Sequence, residues 1–155
     1  MSKKIELTKG RFCIVDDENY EYLNQWNWFY TNEYAARKPS KEESLNRKNW
    51  LMHRLIMNCP EDMQIDHINS NMLDNRKENL RICTPNQNRR NRSKNKNSAS
   101  QYKGVGKSYN KWCARIKVNK KLLHLGNFKE EIEAAKAYNE SAIKYFGKFG
   151  KLNDV

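Results

Sequence analysis

The sequence predicts an α+β protein: a strand–loop–strand–helix core followed by a small three-stranded antiparallel sheet packed on one helix. Three observations predict it. From Gln64 to Asn88 the chain runs through MQIDHI, a short apolar-alternating strand, then NSNMLDNRKEN, an Asn- and Asp-rich loop, then LRIC, a returning strand. Thr84-Pro85 comes next as a helix start, with Thr as the cap and Pro in the first helical position, where a missing N–H costs nothing. From Tyr102 the runs YKGVGKS, KWCARIKV and KLLHLGNF are punctuated by YN and NKK as hairpin turns. They lead into KEEIEAAKAYNESAIKYFG, with Ile132, Ala135, Tyr138, Ala142 and Tyr145 or Phe146 at helical spacing and Gly147 as a stop. Finally, 155 residues of which 37% are hydrophobic argue for small modules joined by a polar connection rather than one large core.

The expected divisions are a platform over 1–50, a core over 51–93, a basic linker over 94–101 and a second module over 102–153. In the platform, KIEL and RFCIV read as two strands around a turn at Gly10, with Ile5, Leu7, Phe12 and Ile14 on alternating positions. DDENYEYLNQW reads as a short helix capped by Asp16 or Asp17, carrying Tyr20, Leu23 and Trp26 on one side. NWFYTN and EYAARK form a further hairpin, PSKEESLNRKN a polar mobile loop, and WLMHRLIM a helix with His53 and Arg54. No catalytic signature precedes residue 50, so the platform reads as packing support, or as a source of aromatic contacts.

Charge is concentrated. The net charge is +12, yet the window from Asn79 to Lys129 holds 14 Lys or Arg and no Asp or Glu, while the rest of the chain nets −2. Such a block answers a polyanion. RRNRSKNKNSASQ carries no apolar residue except Ala99 and cannot repay its own ordering, so it reads as a linker, flexible when free, whose basic side chains meet phosphates. Cys13, Cys59, Cys83 and Cys113 form no Cys-x-x-Cys pair, which argues against a zinc knuckle and for buried reduced thiols. No stretch approaches a membrane span, and MSKKIELTKG lacks the apolar run of a signal peptide, so a cytoplasmic protein is expected.

Asp66 and His67 stand at the end of the first core strand, with Asn79 twelve residues after the His and Asn88 nine further on. Strand, loop, strand and helix bring Asp66, His67 and Asn88 towards one point. Taken alone, the Asp-His pair also fits a surface turn. Hydrolysis of a phosphodiester needs a base for water and a cation for the charge on phosphate and leaving oxygen. A neutral imidazole suits the first role near pH 7. A carboxylate and an amide oxygen are hard ligands that suit Mg²⁺, and Asn79 can hold the imidazole in one tautomer.

IDHINSNMLDNRKENLRICTPNQNRRN closely resembles the His-Asn-His (HNH) motif of phage and intron-encoded homing endonucleases. The resemblance implies a ββα-metal nuclease core in which His67 is the general base supported by Asn79. Asp66 and Asn88 would then hold Mg²⁺ or Mn²⁺, one ion per active site. His53, in the His-Arg pair ahead of the strand, reads as ancillary or structural, or as a third functional histidine, and Arg54 as a phosphate contact. The stretch from Tyr102 to Asn153 resembles the plant APETALA/ethylene-response-factor DNA-binding domain through YKGV, KWCARI, LGNF, EAAKAYNESAIKYFG and the closing KLN. That resemblance implies a sheet entering the major groove, with Lys103, Trp112, Arg115, Lys117 and His124 as candidate contacts. His124 and Gly106 depart from the plant pattern, and Trp112 fits a core position equally well. Lys107 belongs to the same basic sheet, and Arg89, Arg90 and Arg92 to the basic stretch after the core.

The expected function is a site-directed, homing-type endonuclease cutting double-stranded DNA, a monomer or weak dimer on DNA in a bacterial host's cytoplasm. The alternatives are a non-catalytic DNA-binding regulator with a nuclease-like core, and a binder of structured RNA.

Overall fold

A computed structural model describes residues 1–43, 49–94 and 98–155, and mixes helix and strand as an α+β fold does. The chain divides into two compact units, Met1–Asn88 and Arg89–Val155.

In the first unit, β1 (Ser2–Leu7) and β2 (Arg11–Asp16) pair antiparallel around a turn at Thr8–Gly10. The register sets Ile5 opposite Cys13, and directly opposed residues share a face. Ile5, Leu7, Cys13 and Val15 are therefore buried together. The expected inward alternation through Phe12 and Ile14 is off by one position in β2, and Phe12 is half exposed. Helix α1 (Asp17–Asn24) buries Leu23, with Tyr20 and Trp26 against the same core. Asp16 stands at its N-cap but makes no capping bond, because its carboxylate accepts the Lys77 N–H at 2.7 Å.

β3 (Phe29–Thr31) and β4 (Tyr34–Arg37) form a tight hairpin, with Asn32 and Glu33 both at positive φ as a two-residue turn demands. β5 (Trp50–Leu51) adds to β4, and α2 (Met52–Ile56) starts at the next residue. Met52 completes the core of Ile5, Leu7, Cys13, Val15, Leu23, Trp28 and Ala35, so the N-terminal hairpins and α1 share one interior with α2. The Trp28 indole N–H donates to the Leu23 carbonyl at 2.8 Å, satisfying the polar edge of a buried ring. Arg37 is buried with its guanidinium 4.3 Å from the Trp26 ring and forked onto Glu43. Part of the expected loop at 39–49, namely 44–48, lies outside the described residues, as do 95–97 of the linker.

β6 (Gln64–His67) and β7 (Leu80–Cys83) pair antiparallel, and α3 (Pro85–Arg90) starts as expected. The Thr84 hydroxyl accepts the Gln87 N–H at 3.3 Å while the Gln87 amide oxygen accepts the Thr84 N–H at 2.8 Å, a reciprocal capping box.

In the second unit β8 (Val105–Ser108), β9 (Lys111–Val118) and β10 (Lys121–Phe128) form an antiparallel sheet with β9 central, and α4 (Glu131–Phe146) packs on it. The buried stripe of α4 is Ala134, Ala135, Tyr138 and Ala142, because small side chains let the helix approach the sheet closely. Ile132 and Tyr145, expected inside, fall at the margins and are exposed, while Phe146 packs. The C-terminal KLN is an anchor. The Asn153 side chain accepts the Lys103 N–H at 2.7 Å and donates to the Lys103 carbonyl at 3.1 Å, and its backbone pairs with the Asn139 amide. The described end of the linker is tied to this unit, the Ser100 hydroxyl donating to Glu131 at 2.6 Å. Cys13, Cys83 and Cys113 are free and buried, and Cys59 is free and half-buried. No described helix is long and apolar enough to cross a membrane.

Candidate active site

The loop between β6 and β7 is held by its own amides. Asn79 spends its side chain there: its oxygen accepts the Asn69 N–H at 2.9 Å and its NH₂ donates to the Asp74 carbonyl at 2.8 Å. Its carbonyl accepts the Ile68 N–H at 2.9 Å. Asp74 is buried and takes Arg76 through two bonds and Asn69 through one. These cations and donors hold its carboxyl below the usual carboxylate range, Arg76 contributing most. The loop is also stitched to β2, with Ile14 N–H on the Leu73 carbonyl and Asn75 N–H on the Ile14 carbonyl at 2.7 Å. Residues 1–50 thus position the site as well as packing beneath it.

His67 is buried at the end of β6, with Nε2 3.0 Å from Asn75 Oδ1. Its ring meets the His53 ring edge-on at 5.1 Å, and Tyr34 lies 5.1 Å from His53 and 6.1 Å from His67. Burial lowers the His67 pKa, and the Asn75 bond and the charges of Asp66 and Asp74 oppose the shift. His53 is pushed down to about 3, by burial first and then by the charges of His67 and Arg54. Two facing imidazoles in a closed site stay neutral, and a neutral imidazole is a proton acceptor. Below pH 6.5 the unfolded chain takes up a proton at residue 53 that the folded chain refuses until about 3, so stability falls as pH drops through that window. The expected loss is about 1.4 kcal/mol per pH unit for that one proton. Urea midpoints measured from pH 7 to 5 check it: His53→Phe flattens the slope in part, since His67 shifts the same way.

Asp66 and His67 are consecutive strand residues, so their side chains leave opposite faces of the ribbon. On the Asp66 side, the carboxylate is buried and takes Nε of its cross-strand partner Arg81 at 2.7 Å. Asn88, one turn into α3, donates to the Gln64 amide oxygen at 2.8 Å, two residues from Asp66 on the same face of β6. Asp66 and Asn88 thus share one face, and His67 meets Asn75 on the other. Asn75 and Arg81 were missed by sequence reasoning, although Arg81 was legible as the cross-strand neighbour of Asp66 in the QIDH/LRIC register.

Two comparisons bear on this geometry. A family model described as HNH endonuclease matches residues 51–90, the span from β5 to the end of α3. A protein described as an uncharacterized HNH endonuclease, from Acanthamoeba polyphaga mimivirus, is 32% identical over 151 residues, 95% of this chain and 77% of its own. The chain belongs to the HNH endonuclease family. Such enzymes are DNA nucleases and generally depend on a divalent metal.

The donor set of this family member fits that dependence. One buried carboxylate and one carboxamide on a common face are hard oxygen ligands, the few protein ligands that Mg²⁺ accepts while keeping waters and taking phosphate oxygens. For both to close on one ion, Arg81 has to share or release the Asp66 carboxylate, and Asn88 has to turn from Gln64. Among the described residues, no group of three or more His, Cys, Asp or Glu is placed to hold a metal.

The remaining expected contacts are scattered. Arg54 donates to the carbonyls of Cys59, Pro60 and Met63, bracing the turn before β6. Arg89 and Arg92 are exposed, and Arg90 stacks 4.7 Å from the Phe146 ring. Lys103 donates to the Arg90 carbonyl at 2.6 Å, and its pKa is pushed down to about 8 by burial and then by Lys151. On β9, Trp112 shares the helix side with Ala114 and Ile116, and Lys107 lies over its ring at 5.0 Å. The open side carries Arg115 and Lys117, and register sets His124 opposite Arg115. His124 Nε2 lies 3.3 Å from Asn127, and Arg115 Nε lies 3.0 Å from the Cys113 sulfur, which closes over that buried thiol. The structure therefore collects Arg115, Lys117 and His124 on one face and sets Trp112 and Lys107 on the other.

Proposed function

We propose that the protein is a homing-type, site-directed endonuclease of double-stranded DNA. The observation that carries this reading is the complete frame Asp66-His67, Asn79, Asn88 laid on β6, loop, β7 and α3, with a buried His67 kept neutral. In the ββα-metal arrangement so inferred, His67 takes a proton from the attacking water. Asp66 and Asn88 hold one Mg²⁺ or Mn²⁺, which supplies charge stabilisation at the scissile phosphate when bound. Asn79 keeps the loop over the site in shape. Asp66→Ala removes the buried carboxylate and is expected to abolish Mg²⁺-dependent cleavage while leaving DNA binding in place. Cleavage by that variant at the wild-type rate would refute the ligand assignment.

The C-terminal sheet supplies affinity and sequence preference, as the APETALA/ethylene-response-factor resemblance implies, with Arg115, Lys117 and His124 against DNA. Replacing Arg115 or Lys117 by Ala is expected to weaken binding and to lower the salt slope by about 0.9 per lost phosphate contact. A slope unchanged in both variants would remove that face from the interface. The chain acts as a monomer or weak dimer on DNA, in the cytoplasm of its host cell. The Asp66–Arg81 ion pair favours a second reading, a DNA-binding protein whose nuclease-like core no longer cuts, because a guanidinium already neutralises the ligand carboxylate. Binding without cleavage across several divalent metals would select it.

A further inference from the structure

We infer that Asn75 is the positioning residue of His67, holding the ring proton on Nε2 so that Nδ1 carries the basic lone pair. The inference rests on the nuclease reading for its consequence, and on local geometry for its content. Asn75 is fully buried, and its Oδ1 lies 3.0 Å from His67 Nε2. Which end of an amide faces a ring is decided by its other partners. The Asn75 NH₂ points at the Met52 sulfur at 3.5 Å, an atom that only accepts, and also meets the Cys13 sulfur, whose S–H is directed at the Ile5 carbonyl at 3.7 Å. Reversing the amide would set its oxygen against that sulfur and its NH₂ against the ring. The orientation with Oδ1 towards the ring satisfies both ends, and an oxygen acceptor requires N–H at Nε2. The Asn75 backbone is fixed as well, its N–H bonded to the Ile14 carbonyl of β2. The residue cannot drift with the loop, so the ring direction is inherited from the N-terminal hairpin.

This placement has a chemical consequence. Nε2 is the outer tip of the ring, and Nδ1 is the nitrogen nearer the main chain. With the Nε2 proton given to Asn75, Nδ1 is the nitrogen that on the nuclease reading takes the proton of the attacking water. Asn79, whose side-chain bonds go to Asn69 and Asp74, supports the loop instead. One asparagine of the loop thus orients the base, and another holds the loop.

The test is a nitrogen-detected NMR spectrum of the histidine side chains in the full chain labelled with ¹⁵N-histidine, without DNA or metal. The His67 signals are identified by their loss in His67→Gln. The expected result is a single tautomer protonated on Nε2 in the wild type. Asn75→Ala is expected to show a mixture of tautomers. Asn75→Asp keeps an acceptor oxygen and is expected to retain the Nε2–H form. Under single-turnover conditions, Asn75→Ala is expected to cut at least about 10-fold more slowly with unchanged DNA affinity, as loss of base orientation alone requires. An Nδ1–H tautomer in the wild type overturns the inference, as does a folded Asn75→Ala protein that keeps a pure Nε2–H ring. Should Asn75→Ala not fold, the wild-type spectrum decides by itself. A protein that cuts no DNA while showing the Nε2–H ring would end the nuclease reading and leave the assignment of Asn75 standing.

Discussion

His67→Ala is expected to cut DNA about 100- to 10,000-fold more slowly than the wild type, the usual worth of a positioned general base, with DNA affinity nearly unchanged. The expectation comes from where the ring sits. It is buried beside His53 and Tyr34, its pKa is held down by that burial, and Asn75 fixes its direction, so at pH 7 it is neutral and aimed. Alanine removes the imidazole proposed to take the proton of the attacking water. It also opens a cavity against His53, and a modest loss of stability accompanies the change. Melting and DNA titration of the same preparation therefore belong beside the rate. A folded, DNA-binding His67→Ala protein that cuts as fast as the wild type would remove the base assignment.

Gly104→Ala is expected to destabilise the second unit by about 3 kcal/mol or more, combining left-handed backbone strain with overpacking. Gly104 has a φ of +76°, and a Cβ built on it would lie 2.0 Å from the Tyr138 ring and 2.7 Å from the Arg115 carbonyl. Its own carbonyl accepts the Arg115 N–H at 2.7 Å, so the backbone cannot retreat without losing the bond that ties this turn to β9. Tyr138 is buried, packed with Ile116 and Ala142. For a unit of this size the shift in melting temperature is expected to exceed about 10 °C. Gly106→Ala is the control, since an added Cβ there meets nothing within 4 Å. Calorimetry on both variants checks the pair; equal melting curves would contradict the packing described around Tyr138.

Much of this was legible in the chain. The strand–loop–strand–helix order around Asp66 and His67, and the hairpin–hairpin–helix order after Tyr102, come from alternation, turn residues and the Thr84-Pro85 start, all of which act locally. What was illegible depends on partners distant in sequence. The inward face of β2 is decided by its register with β1, which makes Cys13 and Val15 the core residues in place of Phe12 and Ile14. The Asp16 carboxylate leaves its own helix for Lys77, sixty-one positions away. The inner stripe of α4 is chosen by how closely alanines let it approach β9, which leaves Ile132 outside. In the site, spacing singled out Asn79 as the partner of the imidazole, but Asn75 faces the ring because β2 draws that part of the loop inward. An asparagine-rich loop offers several candidates of the same chemistry, and only tertiary bonds choose among them.

Metal-dependent hydrolysis at the Asp66-His67 frame is tested most directly by incubating purified full-length protein with a DNA to which its binding has first been shown. Nicked and linear product is measured with Mg²⁺ or Mn²⁺ and with EDTA. The expected result is product with metal and none with EDTA. Sustained binding with no product in any divalent metal would contradict the nuclease reading.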